Sequence, residues 1–334
     1  MLRTTILTMR ALLLALLPML VGMAPALAQL EGWPNRPVRF ISDSAAGGAN
    51  DTTTRLIAEQ LTQIWKQQVI TVNQPGATGG IATRAASQME PDGYNFFVPA
   101  ASAFLALKGA PGVAPNLPIV LPRDFVPVAF LTLAPMFIGV SHHLGVKTVP
   151  QLVELAKQKP GAISFAATGR GRITHLTMEL LQVRAGINLL FVPYAGGPAA
   201  AMSDVTSGRI GIVLEGFAGV GGAIESNMIQ GIAVATPKRL KEFPDLPTVA
   251  ENYPSFFAGG WTVLVAPVGT SAALIKKIAA DIYKSQENPD FIARHGKLGV
   301  YFDAMSPDEI IAFASKEQET WRPILEKLAQ SENK

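Results

Sequence analysis

The 334-residue sequence contains no cysteine. This absence excludes a disulfide framework, a cysteine nucleophile, thiolate-bound zinc and iron–sulfur clusters. Charged residues make up only 16% of the chain, and the formal net charge of +3 includes Arg3 and Arg10 of the amino terminus. We therefore expect no nucleic-acid partner, because such proteins carry a basic surface. Hydrophobic residues account for 49%, enough for a packed core in a chain of about two domains.

Signatures of metal-dependent or covalent catalysis are also missing. The four histidines, His142, His143, His175 and His295, have no spacing typical of a metal site. The sequence lacks the G-x-S-x-G motif of serine hydrolases and both common nucleotide-binding motifs. We therefore expect no metal, no cofactor and no enzymatic activity. His142 and His143 are expected in a solvated turn, and His175 either lines a site or packs structurally.

Residues 1–28 have the pattern of a secretory signal peptide. Two arginines precede an apolar run at 11–23, and small residues flank Leu27 in front of Gln29. The run is shorter than the ~20 residues of a membrane-spanning helix, although an anchoring helix is the alternative. We predict Sec-dependent export to the periplasm, cleavage near Gln29 and no lipid anchor, since no cysteine follows.

The mature chain alternates short apolar runs with helical patterns, which predicts an α/β fold with mostly parallel sheets covered by helices. Strands are predicted at 38–41, 69–72, 94–98, 163–167, 189–192, 210–214 and 232–235. One helix is predicted around 82–89. Two others are predicted from apolar stripes, which consist of Ile57, Leu61, Ile64 and Trp65 in the first and Ile173, Leu176, Leu180 and Val183 in the second.

Two longer extended runs, 126–141 and 262–266, interrupt this alternation. Both are positioned to carry the chain between two lobes. The prediction is a discontinuous first lobe of residues 29–132 and 258–334, and a second lobe of residues 133–257. The last helix, residues 307–328, is expected to pack on the first lobe. A cleft between two hinged lobes is a common place for a ligand.

Glycine-rich turns follow a predicted strand in each proposed lobe and precede a helix. Glycine permits close approach of the backbone, and the amides at a helix start attract anions. These turns supply the candidate residues Ser44, Ala45, Ala46, Gly47 and Gly48 in the first lobe, and Thr168, Gly169, Arg170, Gly171 and Arg172 in the second. A third group at 75–80 adds Gly79. Each turn also fits simple chain reversal, and the anion is either a phosphate or a carboxylate.

Several short motifs occur in a specific order along the chain. They are N-Q-P-G-A-T-G-G-I at 73–81, P-D-G-Y at 91–94, D-F-V-P-V at 124–128, S-F-A-A-T-G-R-G-R-I-T-H at 164–175, V-P-Y at 192–194, L-P-T-V-A-E at 246–251 and A-P-V-G-T at 266–270. Together they resemble the extracytoplasmic solute receptors of the tripartite tricarboxylate transporter family, the Bug receptors. The resemblance covers nearly all of the mature chain.

The resemblance implies a two-lobe, Venus-flytrap fold that closes over a small organic carboxylate in the periplasm. It also implies a monomer that delivers this ligand to a permease of one large and one small subunit. In that family the turn after the first strand meets the ligand through backbone atoms and water, and the opposite loop contributes amides and a hydroxyl. Alternatives are a receptor for an ATP-driven importer, a secreted hydrolase and a partner of a sensor kinase.

The chain departs from the family pattern at residues of the expected cleft. Asp43 and Ser44 replace prolines and an aromatic residue, and we expect Asp43 to point away or to bind a donor group of the ligand. Arg170 and Arg172 either grip a carboxylate or lie in solvent. Glu215 stands where the family has paired acids and, if it lines the pocket, favours a ligand with a donor such as an amine. Ser102 and His175 complete the candidate site. Dicarboxylates, aromatic acids and acidic amino acids all remain possible ligands.

Overall fold

A computed structural model describes residues 32–110 and 113–332. The proposed signal peptide, residues 1–28, lies outside the described residues. The strands are β1 (Val38–Ser42), β2 (Val69–Asn73), β3 (Asn95–Val98), β4 (Val126–Val140), β5 (Ser164–Ala167), β6 (Leu190–Pro193), β7 (Ile212–Gly216), β8 (Gln230–Val234) and β9 (Gly259–Ala266).

The helices alternate with these strands through most of the chain. They are α1 (Ala49–Trp65), α2 (Gly80–Ala86), α3 (Ala101–Leu105), α4 (Val149–Gln158), α5 (Ile173–Ala185), α6 (Pro198–Thr206), α7 (Phe217–Glu225), α8 (Ala272–Gln286), α9 (Pro289–Lys297) and α10 (Pro307–Glu332). Short 3₁₀ turns occur at Ala77–Gly79, His142–Leu144 and Val249–Glu251. His142 and His143 are exposed, as expected of a solvated turn.

The strands form two sheets that share β4. In the first sheet the order is β2-β1-β3-β9-β4, with β1 parallel to both neighbours and β9 antiparallel to β3 and β4. In the second sheet the order is β4-β7-β5-β6, and β8 also pairs with β4. Here β5 is parallel to β6 and β7, whereas β4 is antiparallel to β7. Each sheet thus has a parallel group of three strands, as the alternating pattern predicted.

Strand β4 carries the chain from one sheet to the other. Its residues Val126 to Pro135 pair with β9 of the first sheet, and Met136 to Val140 pair with β7 of the second. β9 brings the chain back to the first sheet. The prediction that the runs at 126–141 and 262–266 are extended is confirmed, although β9 begins earlier, at Gly259.

Apolar clusters fill the space between helices and sheets. Phe40 and Ile57 belong to a cluster beneath α1 and α8, and Phe137 and Phe217 to another beneath α7. A third cluster reaches both sheets and includes Trp321 of α10. α10 therefore packs against α3 on one side and α5 on the other. It was expected to pack on the first lobe, and its contact with α3 agrees with that expectation; its length lets it contact α5 as well.

In each of the two helices predicted from an apolar stripe, one residue expected to be buried is exposed. A third predicted helix has different bounds. Ile64 of α1 and Val183 of α5 are exposed, at 42% and 41%. Both lie in the last turn of their helix, so apolar spacing alone did not distinguish them from buried neighbours. The helix expected at 82–89 spans Gly80–Ala86.

Candidate functional site

A cavity of about 270 Å³ lies between the two sheets. Most of its walls are formed by residues at or after the carboxyl ends of β1, β2, β3, β5, β6 and β7. This end of parallel strands is where α/β proteins commonly bind ligands, because the loops that follow the strands lead into helix starts.

Three helices of eight or more residues begin at the cavity wall. The residues that precede α1, α5 and α6 are Gly48, Arg172 and Gly197; each lines the cavity, and none of these helices has a side-chain cap. Away from the cavity, the side chains of Thr148 and Asn288 cap α4 and α9, whereas α8 also begins without a side-chain cap. Uncapped helix starts leave backbone amides available and attract negative charge, although the first amide of α5, that of Ile173, donates to Ser102 Oγ.

Asp43, which directly follows β1, is 1% exposed and lines the cavity. Its Oδ1 accepts hydrogen bonds from the amide of Ala100 at 3.1 Å and the hydroxyl of Ser44 at 3.1 Å. Its Oδ2 accepts from Nη1 of Arg172 at 3.2 Å. The expectation that Asp43 points away from the cleft is therefore wrong, and Arg172 balances its charge.

The two arginines of the loop after β5 have different surroundings, although both line the cavity. The Arg172 side chain is 13% exposed, and its Nη2 donates to Ser44 Oγ at 3.2 Å. The alternative that Arg172 lies in solvent is thus wrong. Arg170 is exposed, with its guanidinium carbon 5.4 Å from the centre of the Phe191 ring.

Asp51, in the first turn of α1, holds the loop after β1 in place. Its carboxylate accepts hydrogen bonds from the Gly47 amide at 2.9 Å, Asn73 Nδ2 at 2.9 Å and Arg55 Nε at 3.0 Å. Burial raises the pKa of Asp51, but these hydrogen bonds outweigh burial and leave the pKa below its usual value. Sequence reasoning missed this residue. The available signal was an acid in the first turn of a helix that follows a glycine-rich loop.

The loop after β5 forms hydrogen bonds with groups from both sheets. Within its own sheet, the Thr168 amide donates to Thr174 Oγ1 at 3.1 Å. From the first sheet, Thr78 Oγ1 donates to the Arg170 carbonyl at 3.1 Å, and Ser102 Oγ accepts from the Ile173 amide at 3.1 Å. Thr78 and Ser102 therefore join the two walls of the cavity.

His175 supports this loop from behind. It is 1% exposed, packs against the rings of Phe165 and Phe191, and its Nδ1 accepts from the Gly171 amide at 3.2 Å. Its Nε2 lies 3.4 Å from a carboxylate oxygen of Glu179. His175 is not among the residues that line the cavity, so of the two alternatives the structure places it in structural packing.

Glu215 lies at the carboxyl end of β7, against the start of α7. It is 7% exposed, lines the cavity, and its Oε1 accepts from the Gly216 amide at 2.9 Å. Burial raises the pKa of Glu215 to about 7, although the Gly216 hydrogen bond and the charge of Arg172 lower it. Gly219 gives this side chain room, because a Cβ there would lie 2.4 Å from Glu215 Cγ.

The structure brings most of the candidate residues to one cavity. Those that line it are Ser44, Ala45, Gly48, Gly79, Ser102, Thr168, Gly169, Arg170, Arg172 and Glu215. Those outside the lining are Ala46, Gly47, Gly171 and His175. The amides of Gly47 and Gly171 donate to Asp51 and His175. Polar lining residues that the candidate set omitted are Asp43, Asn50, Thr78 and Thr174.

No group of three or more His, Asp or Glu side chains that could hold a metal occurs within residues 32–110 and 113–332. Over the same residues, we find no helix with both the length and the apolarity needed to cross a membrane.

Two sheets that share β4, with a cavity between the helix starts of both, define a two-lobe solute-binding protein. A family model described as the tripartite tricarboxylate transporter family receptor matches residues 53–330. The chain belongs to this family.

Individual relatives agree with this assignment. The chain is 29% identical over 317 residues to a UPF0065 protein of Bordetella bronchiseptica, covering 95% of this chain and 92% of the relative. The structure of R. palustris Rpa4515 with adipate is 25% identical, with a TM-score of 0.82, and the match covers 89% of this chain and 98% of that one. The periplasmic binding protein BugD is 28% identical, with a TM-score of 0.78, over 88% of this chain and 98% of its own.

Proposed function

We propose that this protein is a periplasmic receptor that captures a small organic carboxylate between its lobes and delivers it to a membrane permease. The observation that carries the proposal is the set of uncapped helix starts that face one cavity from both sheets. Backbone amides at helix starts bind anions without a dedicated cation. The cavity of about 270 Å³ suits a small ligand, since pockets for drug-sized molecules are about 300–1,000 Å³.

One further observation supports a carboxylate as the ligand, and a second concerns closure of the cavity. The relative R. palustris Rpa4515 has a structure with adipate. Four side chains contribute cross-wall hydrogen bonds or ion pairs to the cavity; they are Asp43, Thr78, Ser102 and Arg172. A ligand favours the closed arrangement only if it binds that arrangement better than the open one. A ligand that accepts hydrogen bonds from the helix starts of both walls meets this requirement.

The proposal has four further parts that follow from family membership and the sequence. The lobes are residues 29–132 with 258–334, and residues 133–257. Residues 1–28 direct Sec-dependent export and are removed, without a lipid anchor. The mature protein acts as a monomer, and its permease has one large and one small subunit. It releases its ligand chemically unchanged, because it has no enzymatic activity.

A thermal-shift screen tests the proposal. Purified residues 29–334 are mixed with a library of mono-, di- and aromatic carboxylates. A ligand at a hundred times its Kd adds about 2.7 kcal/mol to the free energy of unfolding, so a hit raises the Tm by several degrees. Mass spectrometry of the released compound should show it unchanged. A library without hits would contradict carboxylate binding, and a converted compound would contradict a purely binding role.

A further inference from the structure

The two carboxyl groups in the cavity wall, those of Asp43 and Glu215, differ in how many of their oxygens accept a hydrogen bond. Both oxygens of Asp43 accept hydrogen bonds, and Arg172 compensates its charge. Glu215 is 7% exposed, and its Oε1 accepts from the Gly216 amide. No group within the described part of the chain donates to Glu215 Oε2. The cavity therefore presents one carboxyl oxygen that still lacks a donor.

We propose that Glu215 selects ligands that carry a protonated amine together with the carboxylate, as amino acids and amino dicarboxylic acids do. The inference rests on the proposed function, since it assigns the carboxylate to the helix starts and the ammonium to Glu215. It makes Glu215 a specificity-determining residue of this cavity.

Charge balance distinguishes an amine from a second carboxylate near Glu215. Arg172, the cation whose charge reaches Glu215, already binds Asp43 and Ser44. A ligand carboxylate beside Glu215 would bring two acids together, and one of them would have to take up a proton. An ammonium instead supplies the missing donor and compensates the buried charge. Hydrogen bonds between charged partners are stronger than neutral ones.

The position of Glu215 is fixed by its neighbours, which makes selection by geometry feasible. The side chain is held by the Gly216 amide on one side and fits against Gly219 of α7 on the other. A Cβ at residue 219 would come within 2.4 Å of Glu215 Cγ. Gly219→Ala should therefore displace the carboxyl group without removing it.

Matched ligand pairs test the proposal by calorimetry. The pairs are L-aspartate with succinate, L-glutamate with glutarate, and 4-aminobutyrate with butyrate. In the wild type, the amino member of at least one pair should bind about tenfold or more tightly than its partner. Glu215→Gln should bring that ratio close to one, with the affinity for the plain acid unchanged or higher. Glu225→Gln, at the exposed far end of α7, is the control and should keep the wild-type ratio.

The same experiment separates failure of this inference from failure of the proposed function. Plain acids that bind the wild type as tightly as their amino partners would overturn the role of Glu215 and leave a carboxylate receptor. Absence of binding by every acid, in these pairs and in the thermal screen, would overturn both. An unchanged ratio in Glu215→Gln would also overturn the inference.

A pH series keeps the test decisive if Glu215→Gln does not fold. The charged residues that line the cavity with Glu215 in the described chain are Arg172, its partner Asp43, and Arg170. Affinity for the amino member should rise about tenfold from pH 6 to pH 8 as Glu215 ionises, since its pKa is about 7. Affinity for a plain acid should fall over the same range. A fall for the amino member would overturn the proposal.

Discussion

The loop after β1 and the loop after β5 form opposite walls of the cavity, but they are held in different ways. The first is anchored within its own sheet by Asp51, Asn73 and the Ala100 amide. The second is anchored on its own side by Thr174 and His175, and it also binds groups from the other sheet, since Thr78 donates to its Arg170 carbonyl and Asp43 binds its Arg172.

This difference determines what happens if the two sheets move apart. Separation would break the hydrogen bonds of Thr78 and Arg172 and leave those of Asp51 in place. The loop after β1 thus keeps the hydrogen bonds that anchor it, whereas the loop after β5 loses its cross-sheet hydrogen bonds and keeps only those within its own side.

Asp51→Ala should lower the free energy of unfolding by about 3 kcal/mol, because the buried Asp51 carboxylate accepts three hydrogen bonds, each with a net value of about 1 kcal/mol. Denaturant unfolding measures this change. Asp308→Ala is the matched control, since Asp308 also lies in the first turn of a helix but is exposed; it should cost less than about 1 kcal/mol. Equal losses in the two variants would contradict the anchoring role of Asp51.

The contribution of Asp51 to the free energy of unfolding should also depend on pH. Its folded-state pKa is lowered from the usual 3.8, so its stabilisation is fully present above that value and is lost as the pH falls through the folded pKa. The stability difference between wild type and Asp51→Ala should therefore shrink in acid. A difference that stays constant down to about pH 2, below the usual carboxyl range, would contradict this.

Arg172→Gln should act on closure more than on folding. It leaves Asp43 buried without a compensating charge, and opening of the cleft lets water reach that carboxylate. Affinity for a carboxylate found in the thermal screen should fall about tenfold, because the closed state is less populated. The free energy of unfolding should change less than in Asp51→Ala. Asp43→Asn added to Arg172→Gln should restore part of the affinity. A loss of folding stability equal to that of Asp51→Ala would contradict the cross-sheet role of Arg172.

Thr78→Val should have the smallest effect. Its hydrogen bond to the Arg170 carbonyl is exposed, so its net value is about 0.5–1 kcal/mol. Calorimetry should show about a two- to fivefold loss of ligand affinity, while the free energy of unfolding stays unchanged. Thr83→Val removes the buried hydrogen bond from Thr83 Oγ1 to the Gly79 carbonyl, which does not cross the cavity. It should instead lower the free energy of unfolding and leave the ligand affinity similar. A loss of stability in Thr78→Val together with a loss of affinity in Thr83→Val would contradict the distinction between the loops.

The sequence was sufficient for the architecture because buried strands appear as apolar runs, and both crossings between the sheets are long extended runs. Glycine-rich turns likewise revealed the two walls. The ion pair between Asp43 and Arg172 was not predicted, because it joins residues 129 positions apart and depends on how the sheets face each other. Asp51 was missed for a local reason: an acid in a first helical turn usually needs no explanation beyond the helix dipole.

Amide hydrogen exchange with and without a saturating carboxylate from the screen tests directly whether helix starts from both sheets bind the same anion. We predict added protection at the starts of α1, α5 and α6 together, since one bound anion is shared by helix starts from both sheets. Protection confined to the helix start of one sheet, or located away from the cavity, would contradict it.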